Sequence, residues 1–146
     1  MSMYFELDDE TLWNPSNGAG RLFMRQLEVF EAEVGLPSRI GQGRYWGDPD
    51  TLEVDPVLYA RFVNGLVAQH RRTGHQVVLA LSEGFVATAV ALAWRAGIEV
   101  VTPEPDAGDE RGRFDVQIPA SPRSTPTAVM DALQDRAREL DRWMAR

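Results

Sequence analysis

Two histidines, one glutamate in an apolar stretch and a polar run beside a tryptophan are where this sequence could do chemistry. His70 and His75 are the only imidazoles, and imidazole is the side chain whose ordinary pKa lies nearest neutrality. They stand five apart astride Gly74, beside Arg71 and Arg72, so the i,i+4 spacing that sets two metal ligands on one helical face is missing. The expectation is a pair of solvated histidines at a helix end, where a cation suits the carbonyl dipole. A serine–histidine nucleophile has no elbow motif to identify its serine. The acidic run Asp48, Asp50, Glu53, Asp55 suggests calcium but lacks the loop with a central glycine and a terminal bidentate glutamate. Asp50 and Asp55 read instead as turn and cap residues. No metal site and no cofactor is expected.

Glu83 interrupts the most apolar stretch of the chain. A carboxylate there sits at a rim, pairs with Arg21, Arg25 or Arg61, or is buried alone with a raised pKa. The last case makes it a general acid or base in a cleft between helices. Its apolar neighbours predict that Glu83→Gln departs from the behaviour of an exposed residue, towards destabilisation. Trp13, Asn14, Ser16 and Asn17 open onto a helix start with Arg21 one turn along, and such an end can hold a carboxylate or phosphate by backbone N–H groups. Capping uses only one of Asn14, Ser16 and Asn17, so the others complete the turn or bind. Arg44-Tyr45-Trp46 lies in a glycine-bracketed loop, and Trp94 and Trp143 lie near helix ends. These are the residue types of binding hot spots, although such a loop can also fold back as a lid on its own core. The candidate binding residues are therefore Trp13, Asn14, Ser16, Asn17, Arg21, Tyr45 and Trp46. Glu83 is the candidate catalytic residue of the enzymatic alternative.

The elements that must position these residues follow from spacing. Met3–Leu7 reads as a strand, with Thr11–Trp13 as a hairpin partner across an acidic turn at Asp8–Glu10. Asn14-Pro15-Ser16-Asn17 starts a helix carrying Phe23, Leu27, Phe30 and Val34 on one stripe, and Gly35 and Pro37 stop it. Pro37–Thr51 reads as a loop rich in turn residues. Asp55-Pro56 starts a second helix, with Leu58, Phe62, Val63 and Leu66 as apolar positions and Gly74 as its end. From Gln76 to Gly97, one buried helix is favoured, with Val77, Leu81, Phe85, Thr88 and Leu92 on a stripe. The alternative is a βαβ unit around 76–101, with strands at Val77–Leu81 and Ile98–Val101; its Ser82-Glu83-Gly84 turn is not a phosphate loop. Pro103–Arg113 reads as a long, mobile loop, and Phe114–Ile118 as a strand pairing with Ile98–Val101. Ser124-Thr125-Pro126 starts a last helix with Val129, Leu133, Ala137, Leu140 and Met144 along one side. The fold class expected is mostly α: a single domain over 1–146 of four helices with a small β element.

Composition excludes more than it supports. The 146 residues carry a formal charge of −7, which disfavours nucleic acid or an anionic membrane as partner. There is no cysteine, hence no disulfide, thiolate nucleophile or sulfur-bound metal. There is no lysine either, since all fifteen basic residues are arginine; Schiff-base chemistry and a phosphate-loop lysine are excluded. The arginine, alanine, glycine and proline usage points to a high-GC bacterial genome. Met1–Leu7 lacks the features of a secretory signal. Alanine content, Glu83 and the small polar residues around it make Val77–Trp94 a core helix rather than a membrane span, and the expected location is the cytoplasm.

The segments Leu12-Trp13-Asn14-Pro15-Ser16-Asn17-Gly18 and Leu81-Ser82-Glu83-Gly84-Phe85-Val86-Ala87-Thr88 resemble a small, uncharacterised family of actinobacterial proteins, over roughly residues 1–100. The resemblance implies no activity and no site. Two functions stay open. One is a non-catalytic, acidic interaction module of immunity, antitoxin or regulatory type, contacting a protein partner, a basic one included, through Tyr45–Trp46 and the acidic faces of Asp48–Asp55. The other is a small cofactor-independent enzyme, of cyclase or isomerase type, using Glu83 or a histidine in an aromatic pocket. A small-molecule ligand is compatible with both.

Overall fold

A computed structural model of the chain describes residues 3–42, 50–101 and 125–146. Strand β1 (Tyr4–Leu7) turns through Asp8 and Asp9 into β2 (Glu10–Trp13). Both aspartates have positive φ, 49° and 66°, as a two-residue turn matched to the strand twist requires, and Asp tolerates that region. Helix α1 (Asn17–Val34) follows, capped by the Ser16 hydroxyl, which accepts from the Ala19 N–H at 3.4 Å. It ends at Gly35, whose φ of 74° is the left-handed cap that glycine adopts without penalty. Strands β3 (Ile40–Gln42) and β4 (Thr51–Val54) come next, then α2 (Pro56–Arg72), α3 (Gln76–Arg95) and α4 (Pro126–Trp143).

The four strands form one sheet in the order β2-β1-β4-β3. β1 pairs antiparallel with β2 and parallel with β4, with Phe5 opposite Leu52. β3 runs antiparallel to β4, with Ile40 opposite Val54. Phe5, Leu12, Leu52 and Val54 are buried and point into the core with the apolar stripes of the helices. α3 packs between α2 and α4 and reaches β2. Ten of its residues are buried, from Leu79 to Ala93. Its length and mean hydropathy of 1.9 suffice for a membrane span on composition alone, yet half of that apolar window is buried within the fold.

Among the described residues the architecture is therefore mostly α, with four helices and a small sheet, as the periodicity predicts. The βαβ alternative around 76–101 is overturned: Gln76–Arg95 is one uninterrupted helix, and 98–101 is not a strand. Ser82 does not cap a helix there, but bonds back to the Val78 carbonyl at 2.7 Å within one. Two further corrections concern the segment Pro37–Thr51 and the end of the second helix. The segment read as a loop supplies β3, and its last residue, Thr51, begins β4, an inner strand of the sheet. The second helix stops at Arg72 with Thr73 as its cap, one residue short of Gly74. The expected loop at 103–113 and strand at Phe114–Ile118 lie outside the described residues.

Candidate functional site

The carboxyl ends of the parallel strands β1 and β4 open onto the start of α2, and an open groove of about 680 Å³ lies there. Asp8 contributes from the β1–β2 turn, Glu53 from β4, and Asp55 from the junction with α2; Ile40, Val54 and Val57 supply apolar walls. Arg39 is the basic residue of the lining. Each is placed by local structure. The turn fixes Asp8 at its positive φ. Asp55 is the N-cap of α2, its Oδ1 accepting from the N–H of Val57 at 3.0 Å and of Leu58 at 2.9 Å. That capping satisfies donors a bound anion would otherwise use. Arg39 sits at φ 55°, a region costly for a residue with a Cβ. It follows Ser38, which is buried and donates from both its backbone N–H (2.7 Å) and its hydroxyl (2.5 Å) to Glu31 Oε1. The Glu31–Ser38 clamp thus ties the end of α1 to the entrance of β3. Among the described residues of the lining, three carboxylates against one guanidinium give an acidic balance, so its chemistry favours a cationic group flanked by an apolar one.

Of the residues singled out from sequence, Glu53 and Asp55 of the acidic run line this groove, whereas Trp13, Asn14, Ser16, Asn17, Arg21 and Glu83 do not. Trp13 is 8% exposed and belongs to a ladder of rings, stacked on Phe5 at 5.1 Å and edge-on to Phe23 at 5.5 Å. Its ring is part of the hydrophobic core. Asn14 is half-buried and its backbone N–H donates to the Ala145 carbonyl at 2.9 Å. Ser16 caps α1. The Asn17 side-chain oxygen is buried without a hydrogen-bond partner, and Arg21 is exposed. Tyr45 and Trp46, like Arg44 and Asp48, lie outside the described residues. Glu83 is half-buried on α3 and takes part in no ion pair among the described residues. Of the three readings of Glu83, the rim position is the one that agrees with this placement, and the pairing with Arg21, Arg25 or Arg61 is not formed among the described residues. The Glu83→Gln expectation falls accordingly to within about 0.5 kcal/mol.

The histidines behave differently from each other and from expectation. His75 stands at the N-cap of α3, its Nδ1 accepting from the Val78 N–H at 3.4 Å. His70 is not solvated: it is 5% exposed and its Nδ1 lies 3.3 Å from the Ser82 hydroxyl. The reason is register. Tyr59, Phe62, Val63, Leu66 and Val67 form the buried stripe of α2, and His70 continues it at i+3 and i+4. Burial pushes its pKa down to about 4. Ser82 donates to the Val78 carbonyl at 2.7 Å, which leaves its oxygen to accept from the imidazole.

A pH dependence follows. The folded pKa of His70 lies below its unfolded value, so the neutral ring's contribution to stability is complete above about pH 6.5 and is lost as pH falls towards 4. Between pH 7 and pH 5 the loss is expected to be about 2 kcal/mol. Urea midpoints at the two pH values check this, with His70→Leu as control: its stability should change with pH by about 2 kcal/mol less than that of the wild type.

No curated protein matches the chain. No solved structure matches it either. A family match does extend past the residues 1–100 that carry the resemblance in sequence: it covers residues 1–146, and the chain belongs to the family of unknown function DUF6086.

Proposed function

We propose that the protein is a non-catalytic interaction module that binds a protein partner through the acidic groove at the end of the sheet. The observation that carries this reading is the convergence of Asp8, Glu53 and Asp55 with Ile40, Val54 and Val57 in one open groove. Carboxylates ringed by apolar side chains suit an exposed arginine or lysine with a hydrophobic neighbour. The net charge of −7 adds long-range attraction for a basic partner. Tyr45 and Trp46 belong to the chain segment joining β3 to β4, so sequence continuity ties them to two strands that line the groove. The setting that fits is the bacterial, and specifically actinobacterial, cytoplasm, with an immunity, antitoxin or regulatory role; the arginine-only basic set supports such an origin.

The enzymatic reading, with Glu83 or a histidine moving a proton, draws on the His70–Ser82 contact. It has less support. The serine proton points to a backbone carbonyl, and no carboxylate among the described residues hydrogen-bonds the imidazole.

The test is a heteronuclear NMR titration with a short arginine- and leucine-containing peptide at low salt. Shifts are expected at Asp8, Ile40, Glu53 and Val57, weakening with salt as screened contacts do. The double substitution Asp8→Asn with Glu53→Gln should weaken binding about tenfold. Shifts spread over the whole surface, or binding indifferent to the double substitution, would refute the groove.

A further inference from the structure

Four exposed apolar side chains border one seam of the structure. Leu22 and Val29 on α1 are each 59% exposed, and Val77 and Leu81 on α3 are 57% and 76% exposed. Leu22 and Val29 stand two turns apart on one side of α1. Each directly precedes a ring, Phe23 or Phe30, that stacks on Phe85 of α3. Leu81 stands one turn before Phe85, and Val77 one turn before Leu81. The four put on the order of 400 Å² of apolar side chain into water, the size of the largest apolar patch on a typical monomer, which is often a functional one.

The charges beside this patch are ordered. Arg21 and Arg25 lie exposed in the first half of α1, Glu28 and Glu33 in the second. None of the four takes part in an ion pair among the described residues. The contrast is α4, where exposed Arg136 and Arg138 pair with Glu139 and Asp135 of the same helix.

We propose that this face binds a second copy of the chain, by antiparallel packing of α1 on α1 about a twofold axis. In that arrangement Leu22 lies against Val29 of the second copy, and the basic half of each helix meets the acidic half of the other. A parallel arrangement would set arginine on arginine. Every contact of a twofold interface occurs twice, so one helix with this polarity supplies both halves of a self-complementary surface. The negative net charge opposes association of two copies, which makes the local pairing of unlike charges the feature that selects this face.

Sedimentation velocity of the full chain at about 100 µM and low salt tests the proposal. The wild type should sediment as a dimer. An acidic variant, Arg21→Glu with Arg25→Glu, should be monomeric. A basic variant, Glu28→Arg with Glu33→Arg, should also be monomeric, although it lowers the net negative charge and would strengthen any association driven by charge alone. An equimolar mixture of the two should recover the dimer. All four positions are exposed, so the variants keep the wild-type fold by circular dichroism. A wild type that is monomeric at this concentration, an association that survives both variants, or a mixture that stays monomeric overturns the proposal.

Discussion

Truncating Phe85 to alanine is expected to cost about 3–5 kcal/mol, the range for a buried aromatic whose cavity does not collapse. The ring is 3% exposed and belongs to the ladder that joins four elements, β1, β2, α1 and α3. Phe30 lies on it at 4.4 Å and 5° between planes, and Phe23 at 5.3 Å and 30°. Phe23 in turn meets Phe5 and Trp13 edge-on at 5.6 Å and 5.5 Å. Each ring pair adds about 0.5–1.5 kcal/mol beyond the area it buries, so Phe85 loses transfer energy, two stacks and a filled cavity together. Total stabilities of about 5–15 kcal/mol leave the variant near the edge of folding. Phe85→Leu separates the parts: it keeps most of the volume and forfeits the stacks, for an expected loss of about 1–2 kcal/mol. Urea unfolding with an unchanged m-value measures both. A loss below about 1 kcal/mol for the alanine variant would mean that the α1–α3 seam closes around the gap.

How far the sequence discloses this fold depends on how many residues carry each signal. α1, α2 and α4 have long amphipathic stripes with caps at Ser16, Asp55 and Thr125, and each begins within three residues of where its cap predicts. α3 is apolar nearly all round, so its stripe is faint, and only its length decides for helix over strand. β4 shows why short strands escape. Thr51-Leu52-Glu53-Val54 does alternate, with Leu52 and Val54 buried, but four residues beside a proline and several aspartates look equally like a turn. β3 has three residues and one apolar side chain, too few for any period to register. What makes β4 a strand is its pairing with β1, more than thirty residues away in sequence, and β3 is a strand because it pairs in turn with β4.

The same reasoning separates the readable from the unreadable in the groove. Asp55 announces itself as a cap, and Glu53 stands in a visible acidic run. Their meeting with Asp8 depends on the parallel register of β1 with β4, which no local pattern encodes. His70 carries two conflicting signals: its i+4 step from Leu66 and i+3 step from Val67 place it on the buried stripe, whereas adjacent Arg71, Arg72 and Gly74 suggest an exposed helix end. Trp13 shows the opposite contrast. Its polar neighbours Asn14, Ser16 and Asn17 belong to a helix start, while its own place in a strand turns it inward onto Phe5.

Arg95 is the residue whose role the sequence hides most completely, and replacing it by methionine is expected to cost about 3 kcal/mol. It is the last residue of α3, with a side chain 10% exposed. Its Nε donates to Asp141 Oδ1 at 2.6 Å, Nη1 to the Leu12 carbonyl at 2.7 Å, and Nη2 to the carbonyls of Asp141 at 2.7 Å and Met144 at 2.8 Å. One guanidinium therefore joins α3 to the edge strand β2 and to the end of α4, whose last carbonyls have no partner within the helix. Charge-assisted bonds of this kind contribute about 1.5–3 kcal/mol each when intact. Methionine keeps the apolar stem and removes every donor. The loss is held near 3 kcal/mol because Asp141 is 42% exposed and regains water. Arg95→Lys should recover less than half, since an ammonium presents its donors from one point and cannot span the fork. Asp141→Asn, which leaves three of the four acceptors in place, should cost only about 1 kcal/mol. Hydrogen exchange gives a local reading alongside urea melts. The Asn14 N–H donates to the Ala145 carbonyl at 2.9 Å, so its exchange should quicken in Arg95→Met as the end of α4 comes away from β2. A lysine variant as stable as the wild type would show that a single charge suffices, and that the four-way fork is not what secures α4.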